Sequence, residues 1–202
     1  MQENSKYTVL VTGFGPFGED AVNASWQSVK KLKELFDNLV DGEDINLIVK
    51  EIPVAYEYVA TKVPELWEKF KPNIVIHVGV SDNAKSLVIE QKAHNCGYSR
   101  EDIYNRCPDE ITIKSKAIES SINISQLCEH LNNLKEGSCT VSTSTNAGRY
   151  LCEYIYYQSL SINPTKTLFI HCPKLTVYPA EKTAKGICDI INYLINTLKE
   201  KK

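Results

Sequence analysis

Near its middle the chain carries an almost uninterrupted apolar run, Asn73-Ile74-Val75-Ile76-His77-Val78-Gly79-Val80, and this run decides the fold. Strands that are apolar on both sides, without polar alternation, are typical of parallel sheets covered by helices on both faces. A histidine inside such a strand is more often a hydrogen-bonded core residue than a catalytic base, and we expect that of His77. The run therefore predicts a buried central strand.

On either side of this strand, β-type runs alternate with helical patterns. Strands are predicted at Tyr7–Thr12, Ile45–Ile52, Ser86–Ala93, Cys139–Ser144 and Thr167–His171, and helices at Ala24–Leu39, Tyr56–Phe70, Ile124–Leu134, Arg149–Leu160 and Ala180–Leu198. This alternation predicts an α/β fold: a single-domain, three-layer α/β/α sandwich, covering residues 1–202, with a mostly parallel, mixed and twisted sheet. The polar stretch from Cys96 to Glu110 breaks the pattern and is expected to form a long functional or mobile loop.

The composition narrows the classes of function. The 202 residues are 43% hydrophobic and 24% charged, which suits one substantial core, and the net charge of -2 argues against nucleic acid or an anionic membrane as the main partner. No signal peptide and no apolar run of about 18 residues is evident. An odd cysteine count, seven, without framework spacing, favours a reducing cytoplasm.

Only one of the cysteines has the surroundings expected of a nucleophile. Cys152 follows a small polar segment, residues 142–148, and stands near the start of a predicted helix, where the positive end of the macrodipole favours the thiolate. His171 ends an apolar strand, just before Cys172 and Pro173, at the kind of position where α/β proteins build their sites. The pattern predicts a Cys152–His171 nucleophile and base, with Glu90 on another strand as the candidate residue that orients the imidazole. A solvated edge glutamate and a core histidine remain the alternatives for Glu90 and His171.

The first strand is followed by a glycine loop, and its glycines Gly13, Gly15 and Gly18 satisfy the spacing of a dinucleotide-binding fingerprint. Pro16 removes an N–H group from that loop, and the acidic residue expected about 20 positions later is not convincingly present. We therefore favour another role, in which the aromatic faces of two loop phenylalanines hold a small, flat, neutral ligand. A non-catalytic nucleotide-binding domain, and phenylalanines that simply cap the core, remain the alternatives.

A metal site formed by His94, Cys96 and Cys107 is also conceivable, but the spacing matches no standard finger and a fourth ligand is not obvious. We predict no metal and no cofactor.

Several separated motifs resemble one enzyme family in order and approximate spacing, over essentially the whole chain. They are Gly13-Phe14-Gly15-Pro16-Phe17-Gly18, Asn23-Ala24-Ser25-Trp26, Ile89-Glu90 with His94-Asn95, Gly148-Arg149-Tyr150-Leu151-Cys152 and Phe169-Ile170-His171. This set resembles pyroglutamyl peptidase I, also called pyrrolidone-carboxylate peptidase, and its animal branch more than its bacterial one. The resemblance implies a cysteine peptidase that removes an amino-terminal pyroglutamyl residue from small blocked peptides, with Cys152, His171 and Glu90 as its catalytic triad. A hydrolase of another small amide remains the alternative.

The same resemblance implies the substrate-binding residues. Phe14 and Phe17 map onto pocket phenylalanines, and Tyr150 onto a third aromatic wall. Val80 stands where bacterial members carry a glutamine, so a contact through that side chain is in doubt while a backbone contact would survive. We expect a monomer, with a homo-oligomer as the alternative.

Overall fold

The structure, a computed structural model, describes residues 7–18, 21–38, 45–108, 116–134 and 139–200. Leu39, the end predicted for the first helix, and residues 109 and 110, the end predicted for the long loop, lie outside the described residues. The strands are β1 (Tyr7–Phe14), β2 (Ile45–Ile52), β3 (Ile74–Val80), β4 (Leu87–Glu90), β5 (Lys92–His94), β6 (Ala117–Glu119), β7 (Val141–Ser144) and β8 (Thr167–Cys172). The helices are α1 (Ala24–Asp37), α2 (Tyr56–Phe70), α3 (Ile124–Asn132), α4 (Leu151–Ile162) and α5 (Ala180–Glu200). Within the described ranges, no helix is both long and apolar enough to cross a membrane.

Six strands form one sheet in the order β2-β1-β3-β8-β4-β7. All neighbours are parallel except β4 and β8, which run antiparallel. The predicted mixed, mostly parallel sheet is confirmed. The apolar run at residues 73–80 contains β3, which lies inside the sheet between β1 and β8.

Two apolar clusters cover the two faces of the sheet. One contains side chains of α1, α3 and α5, and the other contains side chains of α2 and α4. Successive residues of β3 alternate between them, since Ile74 and Ile76 belong to the first cluster and Val75 to the second. This arrangement confirms the predicted α/β/α layers.

One predicted strand is wrong in part. The pattern at Ser86–Ala93 suggested one strand, but the chain turns at Gln91, which separates β4 from β5. β5 leaves the main sheet and pairs with β6 as a two-stranded antiparallel ribbon, which the sequence analysis did not predict. A strand of three residues carries too little periodicity to be recognised alone.

The described part of the long loop, residues 96–108, contains no helix or strand, as predicted.

The glycine loop that follows the first strand is held in place by close packing. A Cβ added to Gly13 would lie 2.8 Å from the Cα of Trp26, so this glycine lets β1 pack directly against the start of α1.

Candidate active site

Cys152 is the second residue of α4, and the residues before it fix where the helix begins. Gly148 has a φ of +87°, and Tyr150 is the extended N-cap residue. The chain therefore turns sharply before the helix, as the small polar segment suggested, and the half-buried thiol lies in the first turn. There it is close to the free N–H groups and the positive end of the helix dipole.

His171 lies near the end of β8, between Gly79 of β3 and Val88 of β4 in the register of the sheet. Its Nδ1 is 2.8 Å from Oε1 of Glu90, and both side chains are buried, at 8% and 2% exposure. Glu90 is the last residue of β4, so the antiparallel pairing of β4 and β8 brings the carboxylate to the imidazole. The other carboxylate oxygen, Oε2, has no hydrogen-bond partner within the described part of the chain.

The thiol of Cys152 lies close enough to the imidazole of His171 to act on its charge, so the three predicted catalytic residues lie together. Burial opposes the charged ring, but the nearby Cys152 and Glu90 outweigh it and raise the pKa of His171 to about 9. The arrangement therefore favours a protonated imidazole beside Cys152 at neutral pH. A nearby cation stabilises a cysteine thiolate, which is the form that attacks a carbonyl carbon.

Gly79 makes room for the thiol, and sequence reasoning missed it. A Cβ at this position would lie 2.7 Å from Sγ of Cys152 and 2.8 Å from Cζ of Phe169. Any side chain here would push against both the nucleophile and the core. The available signal was a glycine inside an otherwise apolar strand, which often marks a close approach of another group.

The predicted pocket residues divide into two sets. The half-buried rings of Phe17 and Tyr150 lie with their centroids 5.4 Å apart, and Phe17 and Val80 both line a cavity of about 210 Å³ beyond the end of β3. Phe14, in contrast, is 4% exposed and packs in the apolar cluster under α2 and α4. Phe17 therefore packs on Tyr150 and shares a cavity with Val80, whereas Phe14 lies in the core; Cys152 and His171 do not line this cavity.

A model of the pyroglutamyl peptidase family matches residues 7–198 of the chain. The chain belongs to the pyroglutamyl peptidase family. It is 38% identical to the pyroglutamyl-peptidase 1 of Rattus norvegicus and to that of Homo sapiens, each over 98% of this chain and 94% of the relative. It is also 31% identical to the pyrrolidone-carboxylate peptidase of Thermococcus onnurineus, over 82% of each chain.

Solved structures of the pyroglutamyl peptidase family share the fold. A mutant pyrrolidone carboxyl peptidase of Pyrococcus furiosus superimposes with a TM-score of 0.80 at 25% identity, covering 95% of this chain and 99% of the other. The enzyme of Thermococcus litoralis gives a TM-score of 0.78 at 23% identity, covering 97% and 96%. The second likeness, at this identity, concerns the fold alone.

A buried ionic network beside the nucleophile was not predicted. Glu153, the residue after Cys152, is fully buried and accepts hydrogen bonds from Arg149 at 2.6 Å, through Nη1, and from the backbone N–H of His94 at 3.2 Å. Nδ1 of His94 lies 2.9 Å from the same carboxylate. The network ties the end of β5 to the first turn of α4. The Arg149–Glu153 spacing of four residues was a signal for the first pair, but nothing in the sequence pointed to His94.

The glycine loop uses its own N–H groups internally. The N–H of Phe14 donates to Oγ of Ser25 at 2.9 Å, and that of Gly15 donates to the carbonyl oxygen of Ile52 at 2.9 Å. A phosphate cradle needs such groups free. The hydrogen bonding therefore weighs against the nucleotide-binding alternative.

Two other residues of the sheet, His77 and Cys172, lie in the core. His77 is a buried core residue hydrogen-bonded to two hydroxyl groups. Cys172 faces the opposite side of β8 from His171, inside the cluster under α1, α3 and α5, and burial raises the pKa of its thiol to about 12. Among the described residues, no group of three or more potential metal ligands is found, and His94 of the conceivable metal site is bonded to Glu153.

Proposed function

We propose that this protein removes an amino-terminal pyroglutamyl residue from small blocked peptides by cysteine-nucleophile acyl transfer. The observation that carries the proposal is the array in which Glu90 lies 2.8 Å from Nδ1 of His171 and the Cys152 thiol, at the start of α4, lies close enough to the imidazole to raise its pKa. Membership of the pyroglutamyl peptidase family supports the choice of substrate.

In the first step, His171 takes the proton of Cys152, and the thiolate attacks the carbonyl carbon that joins pyroglutamate to the next residue. The oxyanion that forms would be stabilised by backbone N–H groups at the start of α4. The imidazolium of His171 then protonates the leaving amine as the C–N bond breaks, which leaves a pyroglutamyl thioester on Cys152. In the second step, His171 removes a proton from water, the hydroxide attacks the thioester, and pyroglutamate leaves as the thiol is restored.

The pocket suits the ligand that this reaction requires. Pyroglutamate is a flat lactam without a free α-amine, so its site needs no buried acid to balance a positive charge. We assign Phe17, Tyr150 and Val80 to its walls because Phe17 and Val80 line the cavity of about 210 Å³ and Tyr150 packs on Phe17. Phe14 is buried in the apolar cluster under α2 and α4, and we keep it as a proposed pocket residue because of the family resemblance.

Hydrolysis of pyroglutamyl-7-amino-4-methylcoumarin, with and without prior alkylation, tests the proposal. The untreated protein should release the fluorophore, and alkylation of Cys152 or the Cys152→Ser substitution should abolish release. The prolyl analogue of the same compound is the control for the lactam, and it should be a poor substrate. A folded Cys152→Ser protein that retains substantial activity would overturn the assignment of the nucleophile.

Truncation of the aromatic wall tests the pocket separately. An aromatic contact contributes about 0.5–1.5 kcal/mol beyond the burial of apolar area, so Phe17→Ala should lower kcat/KM for the pyroglutamyl compound by about tenfold or more. Alkylation of Cys152 should stay fast in that variant. If the variant keeps its kcat/KM, Phe17 belongs to the core and not to the substrate site.

We also propose that the whole chain acts as one catalytic domain, as a monomer, in a reducing cytoplasm. All seven cysteines are free thiols, which supports the last point. Light scattering on a sizing column measures the oligomeric state, and imaging of the tagged protein locates it.

A further inference from the structure

A cation lies on the aromatic wall of the candidate site. The guanidinium carbon of Arg100 is 4.9 Å from the ring centroid of Phe17 and 4.5 Å from that of Tyr150. The residue is exposed, and its guanidinium carbon lies within cation–π distance of both rings. Because Tyr150 is the N-cap of the helix that carries Cys152, this cation lies beside the start of that helix.

The backbone beneath the cation is anchored at two points. The hydroxyl of Tyr56, a residue only 2% exposed, donates to the carbonyl oxygen of Arg100 at 3.1 Å. The hydroxyl of Tyr150 donates to the carbonyl oxygen of Glu101 at 3.0 Å. The fold itself therefore sets the position of Arg100, although the residue belongs to a long loop.

The charge of Arg100 is not neutralised by any ion pair with a carboxylate of the described chain. Two acids of this region have other partners, and Glu101, the next residue in the chain, forms no ion pair with Arg100 within the described residues. Asp102 accepts hydrogen bonds from the backbone N–H groups of Tyr56 and Tyr104, and Glu153 accepts from Arg149. A planar guanidinium fixed on one face offers two parallel N–H donors at its edge, which matches a carboxylate.

We propose that Arg100 is a specificity-determining residue that binds a carboxylate on the leaving side of a short substrate. The inference rests on the proposed function. In a pyroglutamyl dipeptide the terminal carboxylate lies only one residue, about 4 Å of chain, beyond the scissile bond. An acidic side chain on that residue presents the same group. Both the terminal carboxylate and the acidic side chain therefore lie close to the nucleophile, on the side of the site where Arg100 lies.

The test compares kcat/KM for pyroglutamyl-alanine with its free carboxylate, pyroglutamyl-alanine amide and pyroglutamyl-aspartic acid amide. The wild type should favour each carboxylate substrate over the alanine amide by about tenfold, as expected for a charge-assisted hydrogen bond. Arg100→Gln should bring these ratios close to one, and Arg100→Lys should retain part of them. The preference should also weaken with added salt, because the cation is exposed.

Arg106→Gln is the matched control. Arg106 is an exposed arginine of the same loop, but its guanidinium is already paired with Glu57 at 2.8 Å, so its removal should leave the ratios unchanged. Loss of the ratio only for the free dipeptide in Arg100→Gln assigns the site to the main-chain carboxylate. Loss only for the aspartyl amide assigns it to the side-chain carboxylate.

Failure of the inference and failure of the proposed function are distinguishable. Hydrolysis of all three substrates with equal ratios in the wild type and Arg100→Gln overturns the carboxylate site and leaves the peptidase intact. If the wild type hydrolyses none of them, the proposed function fails. The site is then judged by calorimetric binding of the dipeptide and its amide to Cys152→Ser, with and without Arg100→Gln, where equal affinities overturn it.

Discussion

Two buried histidines on neighbouring strands of one sheet have opposite properties. His77 of β3 is 1% exposed and His171 of β8 is 8% exposed. Both face α4, because Gly79, two residues after His77, is the register partner of His171. Burial lowers the pKa of His77 to about 3, whereas the pKa of His171 is raised to about 9 despite its burial.

The difference lies in the partners. The ring nitrogens of His77 are each 2.7 Å from a hydroxyl oxygen, of Thr12 and of Ser159, and hydroxyls satisfy a neutral ring without stabilising a charge. His171 contacts a carboxylate and a thiol, which stabilise the charged ring. The position in the strand therefore determines only how deeply a histidine is buried. The groups that contact the buried ring decide whether it is structural or reactive.

The largest expected effect is on turnover, and it distinguishes the two histidines. His171→Ala should lower kcat by roughly 10²–10⁴-fold, because it removes the proton carrier for both nucleophile and leaving amine. His77→Asn should leave kcat close to that of the wild type at temperatures where both are folded. Steady-state kinetics on the pyroglutamyl fluorophore, with circular dichroism to check folding, measures both. If the His77 variant is the more damaged in turnover at equal stability, the comparison fails.

A second change tests what raises the pKa of His171. Glu90→Gln keeps a group of the same shape but removes its negative charge, so the pKa of His171 should fall. The imidazolium would then be lost at lower pH, and the alkaline limb of the kcat/KM profile, expected near pH 9 in the wild type, should move to lower pH. We expect a smaller loss of rate than for His171→Ala, because base and nucleophile remain. An unmoved alkaline limb would show that Glu90 does not set the charge of the ring.

A third change concerns the glycine that lies between the two histidines on the same face. Gly79→Ala places a methyl group 2.7 Å from Sγ of Cys152, so the thiol must shift from its position in the site. Overpacking of this kind costs about 1–3 kcal/mol of stability, and we expect kcat to fall as well. Urea unfolding and the rate of alkylation of Cys152 measure the two effects. Gly18→Ala is the control for steric crowding, because no atom lies within 4 Å of its added Cβ. Its φ of +62° means that this substitution adds backbone strain.

The smallest expected effect is on stability at acid pH. Burial favours the neutral ring of His77 and lowers its pKa, so the residue contributes to the free energy of unfolding above about pH 6.5, its pKa in the unfolded chain. That contribution is lost as the pH falls toward about 3. Between pH 7 and pH 5 this amounts to about 2 kcal/mol, so the stability difference between wild type and His77→Asn should shrink by about that amount. His171 has the opposite sign: its raised pKa stabilises the fold below about pH 6.5, and that contribution is lost as the pH rises through about 9. Urea unfolding at pH 7 and pH 5 checks the first, and a difference that grows on acidification contradicts it.

Much of the fold could be predicted from local sequence, because its signals lie within single elements. The apolar run of β3, the helical periodicity at Tyr56–Phe70 and the alternation of strands and helices are each visible within about fifteen residues. The position of Cys152 at a helix start and of His171 at a strand end follow from the same local patterns. The short ribbon of β5 and β6 has no such signal, and it was missed.

Only the tertiary structure decided how these residues meet. The antiparallel pairing of β4 with β8 brings Glu90 to His171, although 81 positions separate them in the chain. Two other contacts also depend on residues from several elements. Arg100 lies against two aromatic rings, and Gly79 leaves space for the thiol. Sequence determines the period and the ends of each element, because these depend on neighbours along the chain. Register, burial and pKa depend on groups that are distant in the chain, so they exist only once the sheet and its helices have packed.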